Sequence, residues 1–198
     1  MTYADSMAAL HAKRREMAAL KDEMRALQAA IVPETVEDYL LDGWDGPVRL
    51  SALFGDKLDL ILIHNMGVGC SSCTMWADGF NGVYEHLAAR AAFVVASANP
   101  VEVQKAFAQR RGWRFPMVSY ARSPLAQDLG YRHRNNDPID DSMGGWNAGV
   151  SVLRYDGETI VRLSDAEFME FDGFCVVHSL FDMVPGADAA WQPRFTYP

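Results

Sequence analysis

The first thirty residues carry an apolar repeat typical of a long helix. Neither proline nor glycine interrupts residues 5–31, and residue types that favour helix dominate there. The larger apolar residues recur every seven positions, at two positions of the repeat. The first position holds Leu10, Met17, Met24 and Ile31. The second holds Leu20 and Leu27, with the polar Lys13 at its first occurrence. Pro33 ends the segment because proline cannot continue a helix. The pattern fits a helix lying on its own domain or one packing against a second copy.

After residue 33, short apolar runs alternate with segments of helical composition. The predicted strands are residues 37–41, 47–50, 58–64, 92–97, 115–119, 150–155 and 159–163. The predicted helices are residues 70–90, 100–111, 123–129 and 173–183. The alternation, closed by a hairpin and a helix, predicts an α/β fold with a mixed central sheet and helices on both faces. We therefore expect a helical extension over residues 1–33 and one domain over residues 34–198.

Composition narrows the choice of partners and compartment. A chain of 198 residues with 49% hydrophobic and 22% charged residues can bury a normal core. Its formal net charge of −8 argues against nucleic acid or an anionic membrane surface as a partner. The longest apolar run is far too short for a membrane span, and the N-terminal residues do not read as a secretory signal. We expect a cytoplasmic protein.

Three cysteines are too few, and an odd number, for a secreted disulfide scaffold. Two of them, Cys70 and Cys73, form a pair separated by two serines where a buried strand passes into a helix. A helix N-terminus stabilises a thiolate, and a second thiol one turn further on can resolve a mixed disulfide. The sequence therefore predicts Cys70 as the nucleophile and Cys73 as the resolving thiol.

Other interpretations of these residues remain open at this stage. The pair could be two buried structural thiols, or it could form a Cys₃His zinc site with Cys175 and His178. The second possibility requires residues 102 positions apart to meet (175 − 73), and residues 174–177 look like the buried face of a helix. Cys175 is therefore expected in the core. His64 ends the central strand, where it is either a satisfied buried histidine or a neighbour of the thiolate.

Several motifs resemble the domain-of-unknown-function 899 family over nearly the whole chain. They are Asp-Gly-Pro-Val-Arg-Leu at residues 45–50, Leu-Phe at 53–54, the strand ending at His64, Gly69-Cys70 with Cys73, Trp-Ala-Asp-Gly-Phe-Asn-Gly at 76–82, His-Leu-Ala-Ala-Arg at 86–90 and Gly-Trp-Arg-Phe-Pro at 112–116. The resemblance implies a thioredoxin-like fold and a dithiol–disulfide oxidoreductase activity. Residues 107–119 are also similar to a segment of peroxiredoxins in which a helix leads to a Phe-Pro turn.

Two positions depart from the thioredoxin pattern. Thioredoxins have a cis-proline opposite the cysteine pair, and the matching position here falls near Gly149, where no proline stands. The spacer Ser71-Ser72 also differs from the Gly-Pro of thioredoxins. These residues do not define a redox potential.

The sequence favours a thiol–disulfide oxidoreductase that uses Cys70 and Cys73, with no cofactor and no metal. Its substrate would be a protein or a low-molecular-weight disulfide, and a reductant protein would restore the dithiol. A thiol peroxidase is one alternative. The other is a non-catalytic thioredoxin-fold protein that binds or dimerises, and a homodimer through the N-terminal helix is compatible with all three.

Overall fold

The computed structural model describes residues 2–132, 145–169, 173–184 and 191–198. The chain separates into two compact units, Met1–Pro33 and Glu34–Pro198. The first consists of helix α1, Tyr3–Ala29. A capping box begins the helix, because the Thr2 hydroxyl accepts from the Asp5 amide and the Asp5 carboxylate accepts from the Thr2 amide. The predicted helix is confirmed, although it ends two residues before Ile31.

The second unit alternates strands and helices along the chain. The strands are β1 Glu34–Val36, β2 Leu40–Gly43, β3 Gly46–Arg49, β4 Asp59–His64, β5 Ala92–Ser97, β6 Met117–Ser119, β7 Gly149–Tyr155 and β8 Ile160–Glu167. The helices are α2 Ser71–Arg90, α3 Val101–Arg111, α4 Leu125–Asp128 and α5 Val176–Phe181, with a 3₁₀ helix at Leu50–Phe54. Within the described residues, no helix is both long enough and apolar enough to cross a membrane.

The described strands form one mixed sheet in the order β1-β8-β7-β4-β5-β6-β2-β3. Strands β4, β5 and β6 run parallel, while β7 lies antiparallel to β4 on the other side. Parallel strands need helical crossovers, and α2 and α3 supply them between β4 and β5 and between β5 and β6. The carboxyl ends of these strands therefore share one edge of the sheet.

Helices cover both faces of the sheet, and side chains alternate between them. In β5, Val94 and Ala96 belong to a core with the 3₁₀ helix and α4. Phe93 and Val95 belong to a second core with α2 and α3. Strands buried on both faces read as continuous apolar runs, which is why β4 and β5 are evident in the sequence. The α/β class with helices on both faces is confirmed.

The weaker sequence signals gave inaccurate bounds. The stretch 37–41 was predicted as one strand, but the structure has β1 before it and β2 from its last two residues onwards. Strand β1 is set by pairing with β8, which lies more than 120 residues further along the chain. The short helix predicted at 123–129 is a single turn, and the strand predicted at 115–119 begins only after Pro116.

The last predicted helix, residues 173–183, is also shorter than expected and less buried. Helix α5 covers only Val176–Phe181. Cys175 is buried in the second core, as expected, but Phe174 and Val176 are exposed. The expectation that residues 174–177 form a buried helix face is therefore wrong, because Cys175 precedes the helix and Val176 faces outwards.

Candidate active site

The cysteine pair lies on a loop that joins β4 to α2 at the carboxyl edge of the sheet. The side-chain oxygen of Asn65 accepts from the Gly67 amide at 2.7 Å, and the Gly67 carbonyl accepts from the Cys70 amide at 3.1 Å. Asn99, which follows β5, accepts from the Val68 amide at 2.9 Å. Gly67 has φ of 107°, and a Cβ there would collide with the Asn99 side chain. These contacts fix the position of Cys70.

Cys70 caps the N-terminus of α2. Its backbone is extended (φ −96°, ψ 108°), and its Sγ accepts a hydrogen bond from the Cys73 amide at 3.0 Å. The Cys70 carbonyl accepts from the Thr74 hydroxyl at 2.9 Å, which fixes the first turn. The positive end of the helix dipole and an amide donor both face this sulfur. The arrangement stabilises negative charge on Cys70.

The two thiols differ in their acidity for reasons visible in their contacts. The Cys73 thiol donates a hydrogen bond to Cys70 and lowers the pKa of Cys70, with the amides of Cys73 and Ser72 acting in the same direction against the effect of burial. The same contact raises the pKa of Cys73, and burial and the negative charge of Cys70 raise it further. The predicted order of the two thiols thus has a physical basis: Cys70 ionises first.

Both sulfurs are enclosed by protein. Cys70 is 4% exposed and Cys73 2% exposed. Tyr120, fully buried behind the pair, lies close enough for the charge of Cys73 to raise the pKa of its hydroxyl, although burial is the larger cause. The Tyr120 hydroxyl donates to the Asn65 carbonyl at 3.4 Å. The pair is therefore enclosed by protein, with Tyr120 near Cys73.

His64 lies in a hydrogen-bonded cluster at the end of β4. The Ser151 hydroxyl donates to the Asp165 carboxylate at 2.5 Å, so the His64 Nε2–H donates to the Ser151 oxygen at 2.9 Å. The imidazole also stacks on Tyr131 with ring centroids 3.6 Å apart. Burial lowers the pKa of His64 to about 3, and the charge of Arg162 acts in the same direction. His64 is thus a buried histidine with neutral imidazole as its stable form, bonded through Nε2 while its buried Nδ1 has no hydrogen-bond partner among the described residues.

The neutral state of His64 predicts a pH-dependent stability. The unfolded chain binds a proton at His64 near its ordinary pKa of about 6.5, whereas the folded chain does so only near 3. The contribution of neutral His64 to the free energy of unfolding is therefore fully present above about pH 6.5. It falls as the pH drops towards 3, by up to about 1.4 kcal/mol per pH unit. Denaturant unfolding between pH 7 and 5 measures this slope.

The matched variants for this measurement are His64→Gln and His86→Gln. His64→Gln keeps an amide donor near Ser151 and removes the titrating group, so its stability is expected to vary less over this pH range. His86 is exposed, and His86→Gln is expected to keep the wild-type slope. A wild-type slope that survives in His64→Gln would show that another group is responsible.

Gly149 lies near the position at which the thioredoxin pattern leads us to expect a proline. It begins β7 directly beside His64 in the antiparallel pairing with β4. A Cβ at this position would lie 2.5 Å from the Ala166 carbonyl oxygen and 2.5 Å from Tyr131 Cε1. Glycine is required here because two neighbours occupy the space that a side chain would fill.

The third cysteine and His178 lie apart from the pair. Cys175 packs in the second core, against residues of α2 and α3. Within the part of the chain that the structure describes, no three His, Cys, Asp or Glu side chains form a group able to hold a metal ion. The Cys₃His alternative, whose four residues are all described, therefore has no support in the geometry.

The residues that hold the loop and those that pack near Cys73 and His64 were not predicted from the sequence. Asn65 and Asn99 each follow a strand that ends at the same sheet edge, and this signal could have identified them. Tyr120 near Cys73, and Tyr131 and Ser151 beside His64, carried no comparable signal, since only the tertiary fold brings them there.

Among solved structures, the chain is similar to several peroxiredoxins. Peroxidoxin BcpB from Mycobacterium tuberculosis is 26% identical, with 64% of this chain and 80% of that chain covered and a TM-score of 0.53. Peroxiredoxin Q from Xanthomonas campestris is 19% identical, with 71% and 87% covered and a TM-score of 0.54. The Xanthomonas campestris bacterioferritin comigratory protein, whose structures concern alkyl peroxide reduction, is 17% identical, with 65% and 79% covered and a TM-score of 0.51.

These neighbours establish that the Glu34–Pro198 unit has a thioredoxin-like fold, and they support a thiol redox function in the broad sense. Among proteins with curated functions, none matches the chain. One family model, described as bacterial protein of unknown function (DUF899), matches residues 2–192. The match spans the N-terminal helix as well as the thioredoxin-like unit. The chain therefore belongs to the DUF899 family, as its motifs indicated.

Proposed function

We propose that the chain is a thiol–disulfide oxidoreductase that cycles Cys70 and Cys73 between dithiol and disulfide. One observation carries this proposal: the Cys73 amide donates to Cys70 Sγ at 3.0 Å at the N-terminus of α2, with the second thiol one turn further on. These contacts favour the thiolate form of the first sulfur, and they support a role for the second sulfur in attacking whatever binds the first.

The reaction has two balanced steps. The Cys70 thiolate attacks one sulfur of a substrate disulfide, so a Cys70–substrate bond forms and the other half of the substrate leaves as a thiolate. Cys73 then gives its proton to water and its sulfur attacks the Cys70 sulfur, forming the Cys70–Cys73 disulfide and releasing the second half of the substrate as a thiolate. The substrate gains two electrons, and the pair loses two.

The contacts of Cys73 explain how the second step follows the first. Two of the three causes that raise the pKa of Cys73, its hydrogen bond to Cys70 and the charge of Cys70, require an ionised Cys70. Both disappear once Cys70 is bonded to substrate. The pKa of Cys73 then falls, and the Met66 amide already favours its thiolate. The resolving thiol is therefore activated only after a mixed disulfide exists.

Access limits the substrates that fit the observed geometry. Because Cys70 is only 4% exposed, a substrate reaches its sulfur only when neighbouring residues move, and a low-molecular-weight disulfide needs a smaller opening than a protein disulfide. We propose small disulfides such as oxidised glutathione as the first substrates to examine. In the cytoplasm, where we place the protein, a dithiol reductant protein would return the disulfide to the dithiol.

A thiol peroxidase is the second candidate, and two observations favour it. The similar structures are peroxiredoxins, and an enclosed thiolate admits a small peroxide more easily than a disulfide. In that reaction the Cys70 thiolate attacks a peroxide oxygen, the O–O bond breaks and an alcohol or water leaves. Cys73 then condenses with the sulfenic acid, releasing water and closing the same disulfide.

A direct comparison of oxidants tests the proposal. The reduced full-length protein is mixed with oxidised glutathione, hydrogen peroxide or cumene hydroperoxide, and the loss of free thiols is followed with time. We expect oxidised glutathione to convert the pair to its disulfide through a detectable glutathione adduct. Rapid oxidation by the peroxides with no reaction of oxidised glutathione would establish the peroxidase instead. A pair that stays reduced with all three would indicate a binding protein without turnover.

A further inference from the structure

Helix α1 carries an apolar seam that a single helix cannot bury. Five seam residues lie within the helix, each between 44% and 73% exposed: Leu10, Met17, Leu20, Met24 and Leu27. They occupy two positions of a seven-residue repeat, and Tyr3 extends the first position towards the N-terminus. Apolar residues at these spacings are buried when a second helix packs along them. The seam therefore indicates a helical partner.

The charges beside the seam differ between its two sides. Glu16 and Glu23 each stand directly before a seam methionine, on one side. Arg14 and Lys21 stand directly after Lys13 and Leu20, on the other side. In the repeat, these are the two positions that flank the contact between paired helices. One edge of the seam is therefore acidic and the other is basic.

The acidic and basic edges favour a second copy of the same helix as the partner, and they favour parallel over antiparallel pairing. When two copies of one helix pair in parallel, the acidic edge of each meets the basic edge of the other, and Glu16 faces Lys21 of the second copy twice. In an antiparallel pair, acidic meets acidic and basic meets basic. We propose that α1 forms a parallel two-stranded coiled coil with α1 of a second copy, held in register by these two Glu16–Lys21 pairs.

The contacts within a single helix leave these charges available. Glu16 has a salt bridge of 2.7 Å to Lys13, but both side chains are well exposed, and such surface pairs contribute little. Lys13 itself takes a seam position, which costs stability and helps to fix the register. With about three repeats and one lysine in the seam, the pairing is weak and reversible, so it depends on protein concentration.

The first test measures the mass of the full-length protein by sedimentation velocity from 1 to about 100 μM. We expect wild type to pass from monomer to dimer in this range. Leu20→Lys/Leu27→Lys should remain monomeric, and it keeps the helix because lysine favours helix. Ala8→Lys/Ala18→Lys adds the same charge away from the seam and should dimerise like wild type. A wild-type protein that stays monomeric over the whole concentration range would overturn the proposal. It would favour packing of the seam against the protein's own chain.

The second test reverses the charges. Glu16→Lys and Lys21→Glu each place like charges opposite each other in a parallel pair, so each is expected to weaken the dimer Kd about tenfold. Mixing the two variants restores opposite charges at both pairs, so the heterodimer should form with near wild-type affinity. In an antiparallel pair, Glu16→Lys relieves repulsion and would strengthen association. That result, or no effect of either reversal, would contradict the parallel arrangement.

Discussion

Replacing Cys70 by serine is expected to abolish reaction of the protein with disulfides, a loss on the order of 10³-fold or more. The serine hydroxyl is not ionised at neutral pH, so the helix N-terminus and the Cys73 amide no longer have a thiolate to stabilise. The measurement is the rate at which oxidised glutathione forms an adduct on the reduced protein, followed by mass spectrometry. Cys73 is left in the variant, but its pKa is raised by burial and it ionises poorly.

Cys73→Ser is expected to behave differently. Its Cys70 sulfur still accepts a hydrogen bond from the backbone amide of residue 73, so it still attacks the substrate. No second thiol is then present to resolve the mixed disulfide. A stable adduct on Cys70 should accumulate. Cys175→Ser is the matched control, since Cys175 is also buried but lies in the second core, and it should react like wild type. An adduct trapped in Cys70→Ser and absent from Cys73→Ser would reverse the two roles.

Gly149→Ala is expected to destabilise the fold by about 3 kcal/mol. The new methyl group would lie 2.5 Å from both a backbone oxygen of β8 and the Tyr131 ring. The oxygen belongs to the sheet, and Tyr131 is held by its stacking on His64 and its bond to the Val150 carbonyl at 3.0 Å. Neither neighbour can move without breaking other contacts. Thermal unfolding should show a Tm lower by roughly 9 °C.

Gly79→Ala provides the control for this substitution. Gly79 lies inside α2, and a Cβ there meets no atom within 4 Å. Alanine favours helix over glycine by about 1 kcal/mol, so this variant should be slightly more stable than wild type. If Gly149→Ala were as stable as Gly79→Ala, the crowding beside His64 would not be a constraint on this position.

The elements with strong local patterns were the ones that the sequence could predict. Strand β5 was predicted with its observed bounds and β4 within one residue, because buried parallel strands are continuous apolar runs. Helix α2 was also predicted within one residue. Strand β1 was missed because Glu34–Val36 is extended only through pairing with β8. Local propensity cannot carry information about a partner so distant in the chain.

The same distinction applies to the candidate site. The position of Cys70 between a strand and a helix could be predicted, since the local sequence patterns of β4 and α2 identify both elements. The presence of Tyr120 near Cys73 was not predictable, because this residue follows β6, which is distant in the chain. The cluster of His64, Ser151 and Asp165 likewise depends on β4 pairing with β7 and β7 with β8.

The pKa of the Cys70 thiol tests the central claim most directly. Wild-type protein in the dithiol form is treated with iodoacetamide from pH 4 to 10, and mass spectrometry separates modification of Cys70 from that of Cys73. The contacts of the pair predict that Cys70 is alkylated first, with an apparent pKa below the value of about 8.5 for a free cysteine. An apparent pKa at or above that value, or earlier modification of Cys73, would contradict the assignment of Cys70 as the thiolate nucleophile.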